Sequence, residues 1–343
     1  ENLQSPDEAA HTAQALLKLF ERPLPLGHDR DAYLGASLGI SLYPDDGQSS
    51  DELIRNADAA LYQAKAEGRN TYRFYTRALT ERAHQRLTLE SQLRQAINNQ
   101  EFILHYQPLV DTLSGRPLGV EALVRWNSPQ GMISPAEFIP LAEDTGLIVP
   151  IGTWVLREAC RQAQALRSQG FALETLAVNL SPRQFRQVDL LQQVRAALHD
   201  SGLPAACLEL EITEGALMDD VAQTQATLSA LKSLGLRLAV DDFGTGYSSL
   251  AYLQRFPLDK LKIDQSFMRG VPKDQGNLEI VATIIALART LNLTVIAEGV
   301  ETHEQHQALA QLACEQCQGY LFSRPLSSEQ LHDWLRGERK AVG

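Results

Sequence analysis

From about Leu93 onward, short apolar runs alternate with longer stretches in which apolar residues recur every three or four positions. The runs are FILHYQPL (Phe102–Leu109), LGVEALVRW (Leu118–Trp126), TLAVNLS (Thr175–Ser181), CLELEIT (Cys207–Thr213), LRLAVDD (Leu236–Asp242), KLKID (Lys260–Asp264), LTVIAEG (Leu293–Gly299) and CQGYLF (Cys317–Phe322). Between them, Val188–Asp200, Gln223–Leu234, Leu278–Leu291 and Glu304–Leu312 carry the spacing of amphipathic helices. Strands that alternate with helices are parallel strands joined by crossover helices. Eight such strands in about 250 residues predict a (β/α)8 barrel. A doubly wound open sheet is the second choice, because no glycine-rich dinucleotide fingerprint follows an early strand.

The ends of the runs are polar in one particular way. Glu121 lies in the second run, Asn179 near the end of the third, and Glu211 and Glu214 close the fourth. Asp241 and Asp242 end the fifth, Lys262 and Asp264 the sixth, Glu298 falls near the end of the seventh, and Gln318 lies in the eighth. A closed barrel gathers the carboxyl ends of its strands on one face, so these residues meet at one mouth. Loops begin there, and loops are polar, but that alone does not explain a set so acidic. The adjacent pair Asp241–Asp242 poses the question most sharply. It is either a solvated turn or part of a cation site, since like charges repel and burial sharpens the repulsion. Among five carboxylates and an amide, a divalent cation resolves that repulsion, and oxygen-only ligands favour Mg²⁺ or Mn²⁺ over zinc.

Composition narrows the picture further. The chain has 343 residues, 44% hydrophobic and 21% charged, with net charge −11. That balance suits a folded soluble protein and argues against binding long nucleic acid, which requires a basic face. No apolar run nears the roughly 20 residues of a membrane span. The chain starts at Glu1 and reads as a piece of a longer one, its domains expected in the cytoplasm and an upstream membrane anchor left open. The four cysteines, Cys160, Cys207, Cys314 and Cys317, are few for the length and fit a reducing compartment. Cys314 and Cys317 form one CxxC without a second pair, so they are expected as plain buried thiols. His303 and His306 are expected on a solvated helix face. The tripeptide Asp242-Phe243-Gly244 resembles a kinase metal loop, but no glycine-rich loop or His-Arg-Asp motif accompanies it.

Seven ordered motifs carry a family resemblance: EALVRW (Glu121–Trp126), VNLSPRQF (Val178–Phe185), ELEITE (Glu209–Glu214), DDFGTGYSSL (Asp241–Leu250), LKIDQSF (Leu261–Phe267), AEGVET (Ala297–Thr302) and QGYLFSRPL (Gln318–Leu326). Together they resemble the EAL-domain family of cyclic di-GMP phosphodiesterases. The resemblance implies a TIM-like barrel with its first strand antiparallel, and hydrolysis of cyclic di-GMP to linear pGpG with two Mg²⁺ or Mn²⁺ ions per site. It implies that Glu121, Asn179, Glu211 and Asp241 hold one metal, that Asp241 bridges to the second, and that Asp242 and Glu298 lie at or near that ion. Lys262, Glu298, Asp241 and Glu121 become the catalytic set, with Lys262 holding the attacking water or offsetting charge at the phosphate. Arg125, Gln107 and Asp264 would contact substrate. Glu214 would anchor the loop after Asp242, and Glu301 and Gln318 would support the metal shell. Gly215 departs from a frequent serine at a position without an expected ligand. The family also implies a homodimer through this domain. The alternative reading is a catalytically restrained domain acting as a cyclic di-GMP receptor; a scaffold needing neither ligand nor metal is the third.

Residues 1–75 read differently. LGASLGISLYPDDG (Leu34–Gly47) is a strand and turn, and Asp51 is a plausible N-cap for a helix that follows. Asp7–Phe20 predicts an earlier helix. This part resembles the C-terminal portion of a GGDEF (diguanylate cyclase) domain and lacks the GGDEF motif itself. Lys65, Arg69 and Asn70 read as a solvated helix end. A connecting helix is expected over 76–98, with Leu79, Ala83, Leu87, Leu93 and Ile97 on one face. The EAL domain is expected over 86–338.

Overall fold

The computed structural model describes residues 6–20, 24–25, 31–32, 35–218, 220–244 and 253–337. The chain divides into two compact units, Glu1–Gln92 and Leu93–Gly343.

In the first unit a helix, Pro6–Leu19, precedes two short antiparallel strands, β1 (Leu24–Pro25) and β2 (Asp31–Ala32). Strand β3 (Leu38–Ile40) pairs in parallel with β4 (Tyr72–Phe74) across the helix Ser50–Ala66. Gly39 permits that packing: a Cβ there would lie 2.0 Å from the Ala57 carbonyl oxygen. The helix is capped by Ser49, whose hydroxyl accepts the Glu52 N–H, and not by Asp51, which falls in the first turn. Two residues earlier the backbone is already extended, which is what an N-cap requires. Lys65, Arg69 and Asn70 are exposed. The helix Arg77–Asn99 follows. Leu93 and Ala96 are buried on it, but Leu87 is 65% exposed, so the expected apolar face does not run its length. The side chains of Leu79 and Ala83 lie outside the described residues.

The second unit is a barrel. Its strands are β5 (Phe102–Asp111), β6 (Pro117–Ser128), β8 (Thr175–Leu180), β9 (Leu208–Thr213), β10 (Arg237–Phe243), β11 (Lys260–Ile263), β12 (Thr294–Ala297) and β13 (Gln316–Cys317); β7 (Gly131–Ile133) extends β6 as a hairpin. Going around, the order is β5-β13-β12-β11-β10-β9-β8-β6, and the pairing of β5 with β6 closes the ring. Within the ring, β6 and β8 to β13 run parallel to one another, while β5 runs antiparallel to both β6 and β13. The reversal follows from the short Thr112–Arg116 connection, which is too short for the crossover a parallel pair needs.

Alternation along each strand divides the residues between two surfaces. Leu176, Val178 and Leu180 on β8 are buried, as are Ile151, Val155, Leu156, Ala159 and Ala163 on the helix Ile148–Ser168. Each fully buried leucine or isoleucine contributes about 1.5–3 kcal/mol relative to exposure. Inside the ring, Leu109, Ala177 and Ile296 meet from β5, β8 and β12. That contact fixes the inward parity: Asn179, Glu121 and Glu298 lie two residues further along, or in register with such positions.

The eighth apolar run shortens on folding. Only Gln316 and Cys317 pair as a strand, and Gly319 to Phe322 turn away. A Cβ on Gly319 would lie 2.1 Å from the Val300 carbonyl oxygen, so this backbone passes tightly against the loop after β12. All four cysteines are free and buried. Burial pushes the Cys160 and Cys314 thiols up to about 12 and Cys317 up to about 11, which leaves them unreactive near neutrality. His303 is exposed as expected, but His306 is half-buried: its Nε2 lies 2.7 Å from the Thr112 carbonyl and its ring meets Phe322 edge-on.

Candidate active site

At the carboxyl ends of β9 to β12 one ammonium group stands among carboxylates. Lys262 Nζ lies 2.7 Å from Glu211 Oε2, 2.7 Å from Glu298 Oε1, 3.0 Å from Asp241 Oδ1 and 3.9 Å from Glu121 Oε1. Its side chain is 1% exposed. Burial alone would lower the ammonium's pKa, but the summed attraction of Glu121, Glu211, Glu298 and Asp241 holds it well above its ordinary value. The lysine is therefore charged. One positive charge does not balance its neighbours: burial and mutual repulsion keep Glu211 well above the carboxylate range and push Glu298 up to about 8.

Glu121 closes the ring of contacts on the other side. Its Oε1 accepts from Asn179 Nδ2 at 2.6 Å, and its Oε2 from Gln318 Nε2 at 2.7 Å. Gln318 also donates to Gln107 Oε1 at 2.9 Å, and Gln107 Nε2 donates to the Ser323 carbonyl. Gln107 and Gln318 thus form a buried amide chain that orients Glu121.

The adjacent aspartates reach the mouth through a bulge. Val240 pairs with Leu261 and Phe243 with Ile263, so two residues of β10, Asp241 and Asp242, stand opposite the single residue Lys262. Such a bulge inserts a residue and re-aims the side chains beside it. Asp242 adopts a left-handed backbone, φ 53°, and donates its N–H to Asp241 Oδ1. In a regular strand the pair would point to opposite faces. Asp242 lies at the exposed rim, where partial burial and then the charges of Asp241 and Asp264 push its carboxyl up to about 6.

The remaining expected residues lie around this centre. Glu214 is buried and its Oε2 accepts the Gly244 N–H at 2.9 Å, fixing the first residue after β10. Gly244 has φ 95°, with the Phe267 ring against the position a Cβ would take. The loop residues from Thr245 to Leu250, including Gly246, lie outside the described residues. Arg125 is half-buried near Tyr320 and Glu121, and donates to the Val124 carbonyl. Asp264 caps the short helix Gln265–Met268 through the Ser266 N–H. Glu301 is exposed; its backbone N–H bonds Gln305 Oε1, and no described contact joins its side chain to the cluster.

A family model for the EAL domain matches residues 90–325, and one for the diguanylate cyclase GGDEF domain matches residues 1–71. The chain belongs to the EAL domain family. It is 47% identical over 335 residues to the cyclic di-GMP phosphodiesterase NbdA of Pseudomonas aeruginosa, covering 97% of this chain and 43% of that protein. It is 46% identical to the bifunctional diguanylate cyclase/cyclic di-GMP phosphodiesterase MucR of the same organism, covering 96% of this chain and 48% of that one. The chain thus spans less than half the length of these relatives. Among solved structures, the MucR phosphodiesterase in its c-di-GMP complex superposes with a TM-score of 0.69 at 48% identity, covering 71% of this chain and 99% of that one.

EAL phosphodiesterases depend on divalent metal ions. The donors in this EAL domain fit such an ion by their chemistry: Glu121, Glu211, Asp241, Asp242, Glu298 and the Asn179 amide offer hard oxygens. The Lys262 ammonium marks the place where positive charge is stabilised. Among the described residues, no three His, Cys, Asp or Glu side chains are grouped as a cation cage, and the Lys262 ammonium stands among Glu211, Asp241 and Glu298.

Beneath this layer the EAL barrel holds a second ion pair, not anticipated from the sequence. Lys260 Nζ bonds Glu209 Oε1 at 2.7 Å, with side-chain exposures of 5% and 1%. The signal was present in the alternation of LELE and KLKI, where each charged residue recurs two positions on. Only the strand order of the barrel sets β9 and β11 on either side of β10.

Proposed function

We propose that this EAL domain hydrolyses one phosphodiester bond of cyclic di-GMP, giving linear pGpG, with two Mg²⁺ or Mn²⁺ ions held by Glu121, Asn179, Glu211, Asp241, Asp242 and Glu298. The observation that carries the reading is the Lys262 ammonium set among Glu211, Asp241 and Glu298 at the barrel mouth. When bound, the metal pair supplies the charge that makes water nucleophilic at neutral pH.

The chain's own groups have separate tasks. Water oxygen forms the new bond to phosphorus as one of its O–H bonds breaks, the bond from phosphorus to one 3′ oxygen breaks, and that oxygen takes up a proton and leaves as a hydroxyl. Lys262, charged and buried, offsets the negative charge that gathers on the phosphate oxygens; being protonated, it is not the base. Arg125, at the edge of the mouth beside Tyr320, takes a phosphate or a base of the substrate, with Gln107 and Asp264 as further contacts. Gln318 holds Glu121 in its orientation. Glu214 ties the residue after β10 to the barrel through the Gly244 N–H. The same reading includes a homodimer through the barrel; the expected outcome of light scattering is twice the mass of the chain.

The direct test is incubation of the purified chain with cyclic di-GMP and Mg²⁺ or Mn²⁺, followed by chromatography. Appearance of pGpG supports the reading. Unchanged cyclic di-GMP that nevertheless binds with measurable affinity would favour the receptor alternative.

A further inference from the structure

The two ion pairs inside the barrel are built alike. Lys262 reaches Glu211 and Lys260 reaches Glu209, each pair spanning 51 positions of sequence and each at 2.7 Å. The strands that carry them, β11 and β9, are separated by β10, whose Ala239 is in register with both Glu211 and Lys260. Ala239 is small, and both lysine stems pass across that strand. Successive inward residues on one strand are about 6.6 Å apart, within the swing of a four-carbon side chain. Glu209 therefore stands one inward position below Glu211, the carboxylate that Lys262 now holds.

Glu209 is not saturated. It is 0% exposed, and its second oxygen, Oε2, has no hydrogen-bond partner. Arg237, in register with Glu209 on β10, donates to Thr175 Oγ1. The described group that neutralises Glu209 through a direct contact is Lys260. Removing one partner of a buried pair leaves a charge that draws any ammonium within reach.

We propose that Lys260 is a positioning residue: by occupying Glu209, it keeps the ammonium of Lys262 raised among the carboxylates at the mouth. The lower pair sets where the upper lysine points. The inference rests on the phosphodiesterase reading for its catalytic consequence, but its primary readout is metal binding without substrate. Its failure is thus distinguishable from failure of that reading.

The experiment is Mn²⁺ titration by calorimetry on the whole chain, for the wild type, Lys260→Met, Glu209→Leu and the double variant, with kcat measured alongside. In Lys260→Met, Lys262 drops to Glu209, the mouth loses its internal cation, and Mn²⁺ binds at least about tenfold more tightly. At the same time kcat falls by about 10²-fold. In Glu209→Leu, Lys260 rises toward Glu211, a second ammonium competes at the mouth, and Mn²⁺ binds at least about tenfold more weakly. The double variant has neither competitor and returns to wild-type affinity and turnover. A merely structural pair predicts the same direction of change in both single variants, and that result overturns the proposal. Unchanged affinity in Glu209→Leu also overturns it, and stands alone should Lys260→Met fail to fold. Capture of Glu209 by Arg237 in Lys260→Met, seen as unaltered Mn²⁺ affinity, overturns it as well.

Discussion

Lys262 Nζ lies 2.7 Å from Glu298 Oε1, joining β11 to the residue that follows β12. The contact places a permanent positive charge inside the acidic mouth and gives Glu298 its only near compensation among the described contacts. Replacing Lys262 by Met keeps the stem and removes that charge. Turnover falls by about 10²–10³-fold, the range for losing one preorganised charge-stabilising donor. Metal still binds, and KM changes little. Measuring kcat, KM and thermal stability on the same protein separates this from a structural role, in which stability falls and kcat per folded molecule stays near wild type.

Residues that hold metal differ from residues that hold substrate. Glu121→Ala, Asn179→Ala and Asp241→Ala each lower kcat by several orders of magnitude. Arg125→Ala chiefly raises KM, because the guanidinium is at the edge of the mouth and outside the carboxylate cluster. Steady-state kinetics on all four at saturating Mn²⁺ makes the comparison. Near-normal turnover in Asp241→Ala would remove Asp241 from the metal site.

The metal-free protein loses stability as pH rises. Glu298 moves from an ordinary 4.5 to about 8 and Asp242 from 3.8 to about 6, both chiefly through burial. The native state therefore binds more protons than the unfolded state across this window, and the slope of stability against pH is negative. For these two groups the loss begins above the ordinary carboxylate values and ends once pH passes about 8, the folded value for Glu298. Excess Mg²⁺ or Mn²⁺ reverses it by replacing the protons. Melting temperatures at pH 5.5, 7 and 8.5 (about one point per stage of the titration), with and without metal, give the check. A metal-free Tm that climbs over this range would contradict the assignment of these carboxylates to one crowded cluster.

The first unit carries no GGDEF sequence, and the expected outcome with GTP is that no cyclic di-GMP forms. A nucleotide assay with Mg²⁺ returns GTP unchanged. Removal of residues 1–75 leaves the barrel folded, because the ring closes on itself through β5 and β6. Circular dichroism and a cooperative melt of the shortened chain test this; an unfolded product would mean that the barrel depends on the removed unit.

Much of the site could be read before folding was considered. Glu121, Asn179, Glu211, Asp241 and Glu298 stand at or near the ends of apolar runs, and barrel topology alone brings strand ends together. Features that depend on register were hidden. The bulge that places both Asp241 and Asp242 opposite Lys262 exists only in the pairing of β10 with β11. The Glu209–Lys260 pair requires β9 and β11 to meet across Ala239, which no local pattern announces. His306 reads as a solvated residue because helical spacing says nothing of the Thr112 carbonyl just past the end of β5. The eighth run reads as a longer strand than it forms because nothing local to Gly319 announces Val300 packed against its backbone.

The central claim is that the carboxylates around Lys262 form a divalent-metal site that cleaves cyclic di-GMP. The measurement that tests it most directly is product formation in Mn²⁺, in Ca²⁺ and in excess chelator, each on the same preparation. The account predicts pGpG in Mn²⁺, little in Ca²⁺, whose larger radius and looser geometry suit the site poorly for turnover, and none in chelator. Full conversion to pGpG in excess chelator would contradict it.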